Sequence, residues 1–186
     1  YPCDGCGLDN AEMDARFPLQ LSKFQQLHPA PGNFSAKPRA DLIVHKDELK
    51  RLVKRPHPET VIADARSLEE YLGKEVQGIP RPGHIPSAIS VPWNTFLNPD
   101  ATLKNLDTIR EALDEKGLHV SHEVICYCTG GVRSAWLYTV LKLVGYAKVR
   151  NYPGSWWEWS RDFAAPVESD PNSLRTMLHG TEPRPS

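Results

Sequence analysis

The stretch Cys128-Thr129-Gly130-Gly131-Val132-Arg133-Ser134 puts a thiol, paired glycines, a guanidinium and hydroxyls side by side. It follows the apolar run Val124-Ile125-Cys126-Tyr127 and precedes a helical pattern from Ala135 to Val144. This order predicts a thiol at the carboxyl end of a buried strand, with the next amides folded into a tight loop whose far end starts a helix. Such a loop aims N–H groups and the positive end of a helix dipole at one sulfur. That environment favours thiolate, and thiolate is the nucleophile. Gly130 and Gly131 let the backbone curl closely without Cβ clashes. The bland alternative for Cys128 is a buried structural cysteine, and its place directly before Thr-Gly-Gly argues against that. Cys126, two residues back, reads as core.

The elements that must hold this loop alternate along the chain. Asp47 to Val53 reads as a short helix and Thr60-Val61-Ile62-Ala63 as a buried strand. Ser67 stands three residues before Glu70, so Ser67 to Leu72 reads as a capped helical turn. Gly78 to Pro86 is loop, rich in Gly and Pro, and Ala88 to Val91 is a second strand. Leu106, Ile109 and Leu113 share one face of a helix from Asn105 to Lys116, with Gly117 at its C-cap. Ala147 to Tyr152 is a further strand. Strands separated by helices predict an α/β domain, a central parallel sheet flanked by helices on both faces. In such sheets ligands bind beyond the carboxyl ends of strands, where Cys128 and Asp64 both fall.

Composition sets outer limits. The chain has 186 residues, 40% hydrophobic, with 22 Lys and Arg against 23 Asp and Glu, for a formal charge of -1. No basic excess points to nucleic acid or an acidic membrane face. No apolar run reaches the roughly 18 residues of a spanning helix, and no secretory core is visible. The chain starts at Tyr1, which suggests processing or trimming. Residues 1–40 carry Pro29, Pro31, Gly32 and Pro38 and read as an N-terminal extension or linker; residues 166–186 read as a C-terminal tail. Cys3 and Cys6 form a lone C-x-x-C with no second ligand pair, so a mobile or locally disulfide-linked terminus is favoured over a zinc or redox site.

Three segments together resemble the rhodanese sulfurtransferase family: Asp64-Ala65-Arg66 after an apolar strand; Gly83-His84-Ile85-Pro86-Ser87-Ala88 leading to Val91-Pro92-Trp93; and the Cys128 loop followed by Tyr152-Pro153-Gly154-Ser155-Trp156-Trp157-Glu158-Trp159. The match covers residues 41–165 and implies the rhodanese-like three-layer domain. The finer likeness is to the catalytic C-terminal half of two-domain thiosulfate and 3-mercaptopyruvate sulfurtransferases. It implies either a second rhodanese domain in a longer protein or a more open site. Ser87 stands where the family usually has a small Gly, and Thr129 where mercaptopyruvate-type loops have Gly. With Arg133 beside the sulfur, this leans toward an inorganic anionic donor such as thiosulfate.

The resemblance implies sulfur transfer through a Cys128 persulfide, from a small-molecule donor to a thiol or cyanide acceptor, with no metal or organic cofactor. The loop Thr129, Gly130, Gly131, Val132, Arg133 and Ser134 would hold the thiolate and the outer persulfide sulfur. Arg133 would meet the donor's oxyanion end, or else point to solvent. Arg66 is a second candidate for that role, or else pairs with Asp64 or Glu70 and organises the loop. Asp64 reads as a loop-fixing acceptor, and His84 as a residue that bonds backbone. The tryptophans read as packing, with Trp156 the one suited to the rim.

Two other readings remain. Dual-specificity phosphatases of the cell cycle look similar in fold, but their loop has five residues between Cys and Arg where this one has four. A shorter loop suits one sulfur better than a tetrahedral phosphate. A sulfur-carrier or regulatory rhodanese module would use the same Cys128.

Overall fold

A computed structural model describes residue 33, residues 35–37 and residues 39–169 except 76 and 77. Cys3 and Cys6, most of the expected extension and residues 170–186 of the expected tail lie outside the described residues.

Four parallel strands form one sheet in the order β2-β1-β3-β4. They are β1 (Thr60–Asp64), β2 (Ile89–Ser90), β3 (Glu123–Tyr127) and β4 (Lys148–Asn151). Among the described residues five α-helices connect or flank them: α1 (Lys46–Lys54), α2 (Leu68–Tyr71), α3 (Leu106–Asp114), α4 (Val132–Leu143) and α5 (Ser155–Arg161). The architecture is therefore the α/β class expected from the alternating pattern. β3 is buried at every position after Glu123, as a strand covered on both faces must be.

Side-chain alternation along β3 divides the core. Val124 and Cys126 pack with Ile109 and Leu113 of α3 and Leu137, Val140 and Leu141 of α4. Ile125 and Tyr127 point the other way, toward Leu49 of α1 and Trp156 and Trp159 of α5. The result is three layers, with helices on each face of the sheet.

Strand order reverses between β1 and β3. From β1 the chain moves outward to β2, then returns to the other side of β1 for β3 and β4. Loops leaving the two strands diverge there and open a crevice at their carboxyl ends. Register places Asp64 opposite Tyr127, so the Asp64-Ala65-Arg66 segment and the Cys128 loop leave the sheet side by side.

Two elements differ from the sequence pattern. α4 begins at Val132, so Arg133 and Ser134 sit in its first turn. Gly131 supplies the N-cap in a left-handed conformation, φ +94°, where no polar capping side chain marks the start. α5 is a helix that periodicity did not announce. Its Trp156 and Trp159 are fully buried, and their burial outweighs the modest helix propensity of tryptophan.

The end of α5 is closed from afar. Arg81 donates to the carbonyls of Trp159, Ser160, Asp162 and Ala165, at 2.9, 2.9, 2.6 and 2.8 Å. Trp156 Nε1 donates back to the Arg81 carbonyl at 3.1 Å. One guanidinium thus caps α5 and anchors the Gly- and Pro-rich loop. The segment after residue 165 is tied down as well, since His84 and Glu168 exchange main-chain hydrogen bonds. Replacing Arg81 by Ala is expected to destabilise the domain by about 2–3 kcal/mol. Urea unfolding should show a lower midpoint with an unchanged slope.

Candidate active site

Cys128 follows β3 directly, and its side chain is 1% exposed. The Gly131 N–H donates to Cys128 Sγ at 3.1 Å. Burial pushes the thiol upward, but nearby Ser134 and the amides of Ser134, Gly131 and Gly130 outweigh it, with the Ser134 hydroxyl itself bonded to the Gly131 carbonyl at 3.0 Å. The thiol lies below its ordinary value of 9.0. Cys126 has no such donors; burial, with a smaller push from the neighbouring Cys128 charge, drives its thiol well up, and it belongs to the core.

The glycines are required by close approach. A Cβ on Gly131 would meet the Pro153 carbonyl oxygen at 2.9 Å, and one on Gly130 would meet the Trp157 ring at 2.9 Å. Trp157, half exposed, therefore lies over the loop, whereas Trp156 is fully buried. The rim position expected for Trp156 belongs to Trp157.

A turn after β4 fixes the backbone of the loop from behind. Ser155 Oγ accepts from the Cys128 N–H at 3.2 Å. The Trp156 and Trp157 amides donate to the carbonyls of Cys128 and Thr129, both at 2.9 Å. Ser155 is buried at φ 51°, a left-handed conformation in which a non-glycine residue is strained. Sequence pattern marked this run only through its resemblance.

In front, Glu70 binds two loop residues. Its carboxylate accepts from Arg133 Nη1 and Nη2 at 2.6 and 2.8 Å and from the Thr129 hydroxyl at 2.8 Å. Arg133 Nη2 also donates to Thr129 Oγ1 at 2.5 Å. Burial pushes the Glu70 carboxyl up; Arg133, the Ser67 amide and the Thr129 hydroxyl overcome this and bring it down to about 2. Ser67 and Glu70 also close the capping box of α2. The motif made Glu70 legible as a helix-start residue but gave no sign of its partner 63 positions away.

Arg66 takes the structural alternative. It is 1% exposed, with its Nε and Nη2 donating to Asp64 at 2.7 to 3.1 Å and Nη2 to the Gly83 carbonyl at 2.8 Å. Its guanidinium lies 4.6 Å from the centroid of the Trp156 ring. The Tyr127 hydroxyl donates to Asp64 at 2.6 Å and accepts from the Ile85 N–H at 3.1 Å. Asp64, Arg66 and Tyr127 thus lock the Gly83–Ile85 segment onto the sheet, and Arg66 has no open face toward a donor. His84 stacks on Tyr71 at 3.7 Å, with Nδ1 2.8 Å from the Tyr71 carbonyl, and so holds backbone as its loop position suggested. The Val132 side chain is 81% exposed.

Among the described residues, no three His, Cys, Asp or Glu side chains converge as a metal site, and no helix is long and apolar enough to cross a membrane.

A parallel sheet with a cysteine-headed loop at its switch point defines a class of three-layer α/β domains. The rhodanese-like domain family matches residues 45–162, and this chain belongs to it. It is 32% identical over 166 residues to a protein of Saccharopolyspora erythraea provisionally named a thiosulfate sulfurtransferase, covering 85% of this chain and 57% of that one. A Haloferax volcanii protein with the same provisional name is 36% identical, covering 73% of this chain and 49% of that one. The sulfur carrier protein TtuD of Thermus thermophilus is 33% identical, covering 74% and 52%. This chain thus spans about half the length of these relatives, 49–57%. Among solved structures, an EanB variant with a cysteine persulfide and ergothioneine superposes with a TM-score of 0.67 and 25% identity. It covers 74% of this chain and 34% of that one.

The thiol geometry predicts a reactivity profile. A depressed thiol becomes thiolate as pH rises through its own lowered value, so the pH midpoint of Cys128 alkylation by iodoacetamide should fall below 9.0. Peptide mapping should find the label on Cys128 and not on Cys126. Ser134→Ala removes the hydroxyl donor and should move the midpoint upward by about half a unit to one unit.

Proposed function

We propose that the domain is a sulfurtransferase that moves a sulfane sulfur from thiosulfate to a thiophilic acceptor through a Cys128 persulfide. The observation that carries this reading is the hydrogen bond from the Gly131 N–H to Cys128 Sγ at the head of α4, with the thiol held below its ordinary value. The relatives' names and the persulfide in the EanB structure support it.

In the first half-reaction the Cys128 thiolate attacks the outer sulfur of thiosulfate. A new S–S bond forms, the donor's S–S bond breaks, and sulfite leaves with the electron pair. In the second, cyanide or an acceptor thiolate attacks the outer persulfide sulfur, and Cys128 departs as thiolate. The negative charge stays on sulfur throughout, next to the Gly130, Gly131 and Ser134 amides, which need little reorganisation. Neither step calls for a metal or an organic cofactor. The relatives are about twice the length matched here, which leaves room for a companion domain beside this one.

Arg133 is the cation available to an anionic donor, although it rests paired with Glu70. A carrier role would use the same persulfide, and the TtuD relationship favours keeping it as a second reading.

Exposure to thiosulfate should add the mass of one sulfur atom to the peptide containing Cys128. Cyanide should remove it and yield thiocyanate, and Cys128→Ser should abolish both. Steady-state rates with thiosulfate should exceed those with mercaptopyruvate at equal cyanide. An unmodified thiol after exposure to both donors would refute the enzyme reading. Persulfide formation without turnover to cyanide or small thiols would favour the carrier.

A further inference from the structure

The Glu70 carboxylate has two roles that make different demands on its charge. On its own helix it completes the capping box, with Oε2 accepting from the Ser67 N–H at 2.9 Å. A glutamine at this position closes such a box equally well. Across the crevice it neutralises Arg133, and only a carboxylate can do that. The two side chains are 10% and 29% exposed, so their charges are weakly screened by solvent. Arg133 in turn is near enough to Cys128 for the thiolate to favour its charged form.

We propose that Glu70 is a positioning residue that sets the charge of the sulfur pocket: by closing an ion pair on Arg133 it holds a cation back from Cys128 and from an anionic donor, leaving the main-chain amides to carry the sulfur. The donor part of this inference rests on the sulfurtransferase reading; the thiol part does not. A dianion such as thiosulfate must compete with Glu70 for the guanidinium, and it meets a nearby carboxylate as well. Compared with a pocket in which Arg133 is unpaired, the arrangement therefore narrows the advantage of dianionic donors over monoanionic ones without reversing it. It also limits the stabilisation of the thiolate, and a thiolate of very low pKa is a weaker nucleophile. Thr129 makes the closure cooperative, since its hydroxyl donates to Glu70 and accepts from Arg133.

The test uses Glu70→Gln, Arg133→Gln and the double variant in the full chain, with melting temperature as a check of folding. The first readout is the pH midpoint of Cys128 alkylation, which needs no sulfur donor. Glu70→Gln frees a cation and should lower the midpoint by about half a unit to one unit; Arg133→Gln leaves an unpaired carboxylate and should raise it by a similar amount. The double variant restores neutrality and should return close to the parent value.

The second readout is the ratio of kcat/KM for thiosulfate to that for mercaptopyruvate. It should rise about threefold in Glu70→Gln and steepen in its dependence on ionic strength. A midpoint that stays fixed or rises in Glu70→Gln overturns the proposal, and so does a double variant as displaced as the single one. Should Glu70→Gln fail to fold, an unmoved midpoint in Arg133→Gln overturns it equally. An enzyme inactive with both donors but with the expected midpoints refutes the sulfurtransferase reading and leaves the thiol part standing. Normal turnover with unmoved midpoints refutes this inference alone.

Discussion

The hydrogen bond from the Gly131 amide to Cys128 Sγ is the contact around which this domain is arranged. A main-chain N–H can point at the sulfur of a residue three positions earlier only if the chain turns sharply between them. That turn needs a left-handed residue at 131, and it needs glycine because the Pro153 carbonyl leaves no room for a Cβ. Once the turn is made, α4 starts at its end with Ser134 in its first turn, where Ser134 favours the thiolate and its hydroxyl donates to the Gly131 carbonyl. Without these donors burial would hold Cys128 as a neutral thiol, and burial is the main reason that Cys126 is one. The donors reverse the sign for one of two cysteines two residues apart on the same strand end.

A loop that tight does not hold itself. It is braced from two sides by segments distant in sequence. Behind it, the turn after β4 bonds the backbone at Cys128 and Thr129, and Ser155 accepts a strained conformation to do so. Arg81 and the buried Trp156 and Trp159 fix the position of that turn by fixing α5. In front, Glu70 ties Thr129 and Arg133 to the first turn after β1. Parallel pairing of β1 with β3 makes this possible, because it brings the ends of both strands to one edge. The sheet order is thus a functional constraint as well as a packing solution.

The buried Asp64–Arg66 pair plays a different part. Both side chains are sealed from solvent, and their hydrogen bonds run to each other, to Tyr127 and to Gly83. Two arginines could have met an anionic donor, and the fold treats them oppositely. Arg66 is stacked on Trp156 and committed to the scaffold, whereas Arg133, in the loop that follows Cys128, remains partly exposed and pairs with Glu70. The distinction is one of burial, and the chemistry of the guanidinium is the same in both.

Much of this was legible before any coordinates. The alternation of apolar runs with amphipathic stretches marked the parallel sheet, and Ser67 and Glu70 announced the start of α2. Cys128 before paired glycines marked a sulfur cradle, and Cys126 read as core. These features depend on neighbours within a few positions, where backbone geometry ties sequence directly to structure. The start of α4 at Val132 was hidden because a glycine N-cap leaves no polar signal. α5 was hidden because its helix is held by burial and by Arg81 rather than by propensity. The partners of Arg66 and Arg133 were undetermined for the same reason: several carboxylates were in reach by sequence, and only strand order decides which one arrives. The chain by itself established the thiol, its loop and the class of fold. Tertiary structure alone chose which cation stays near the sulfur and which carboxylate restrains it, because that choice is made by contacts between segments some sixty residues apart, and local sequence carries no record of them.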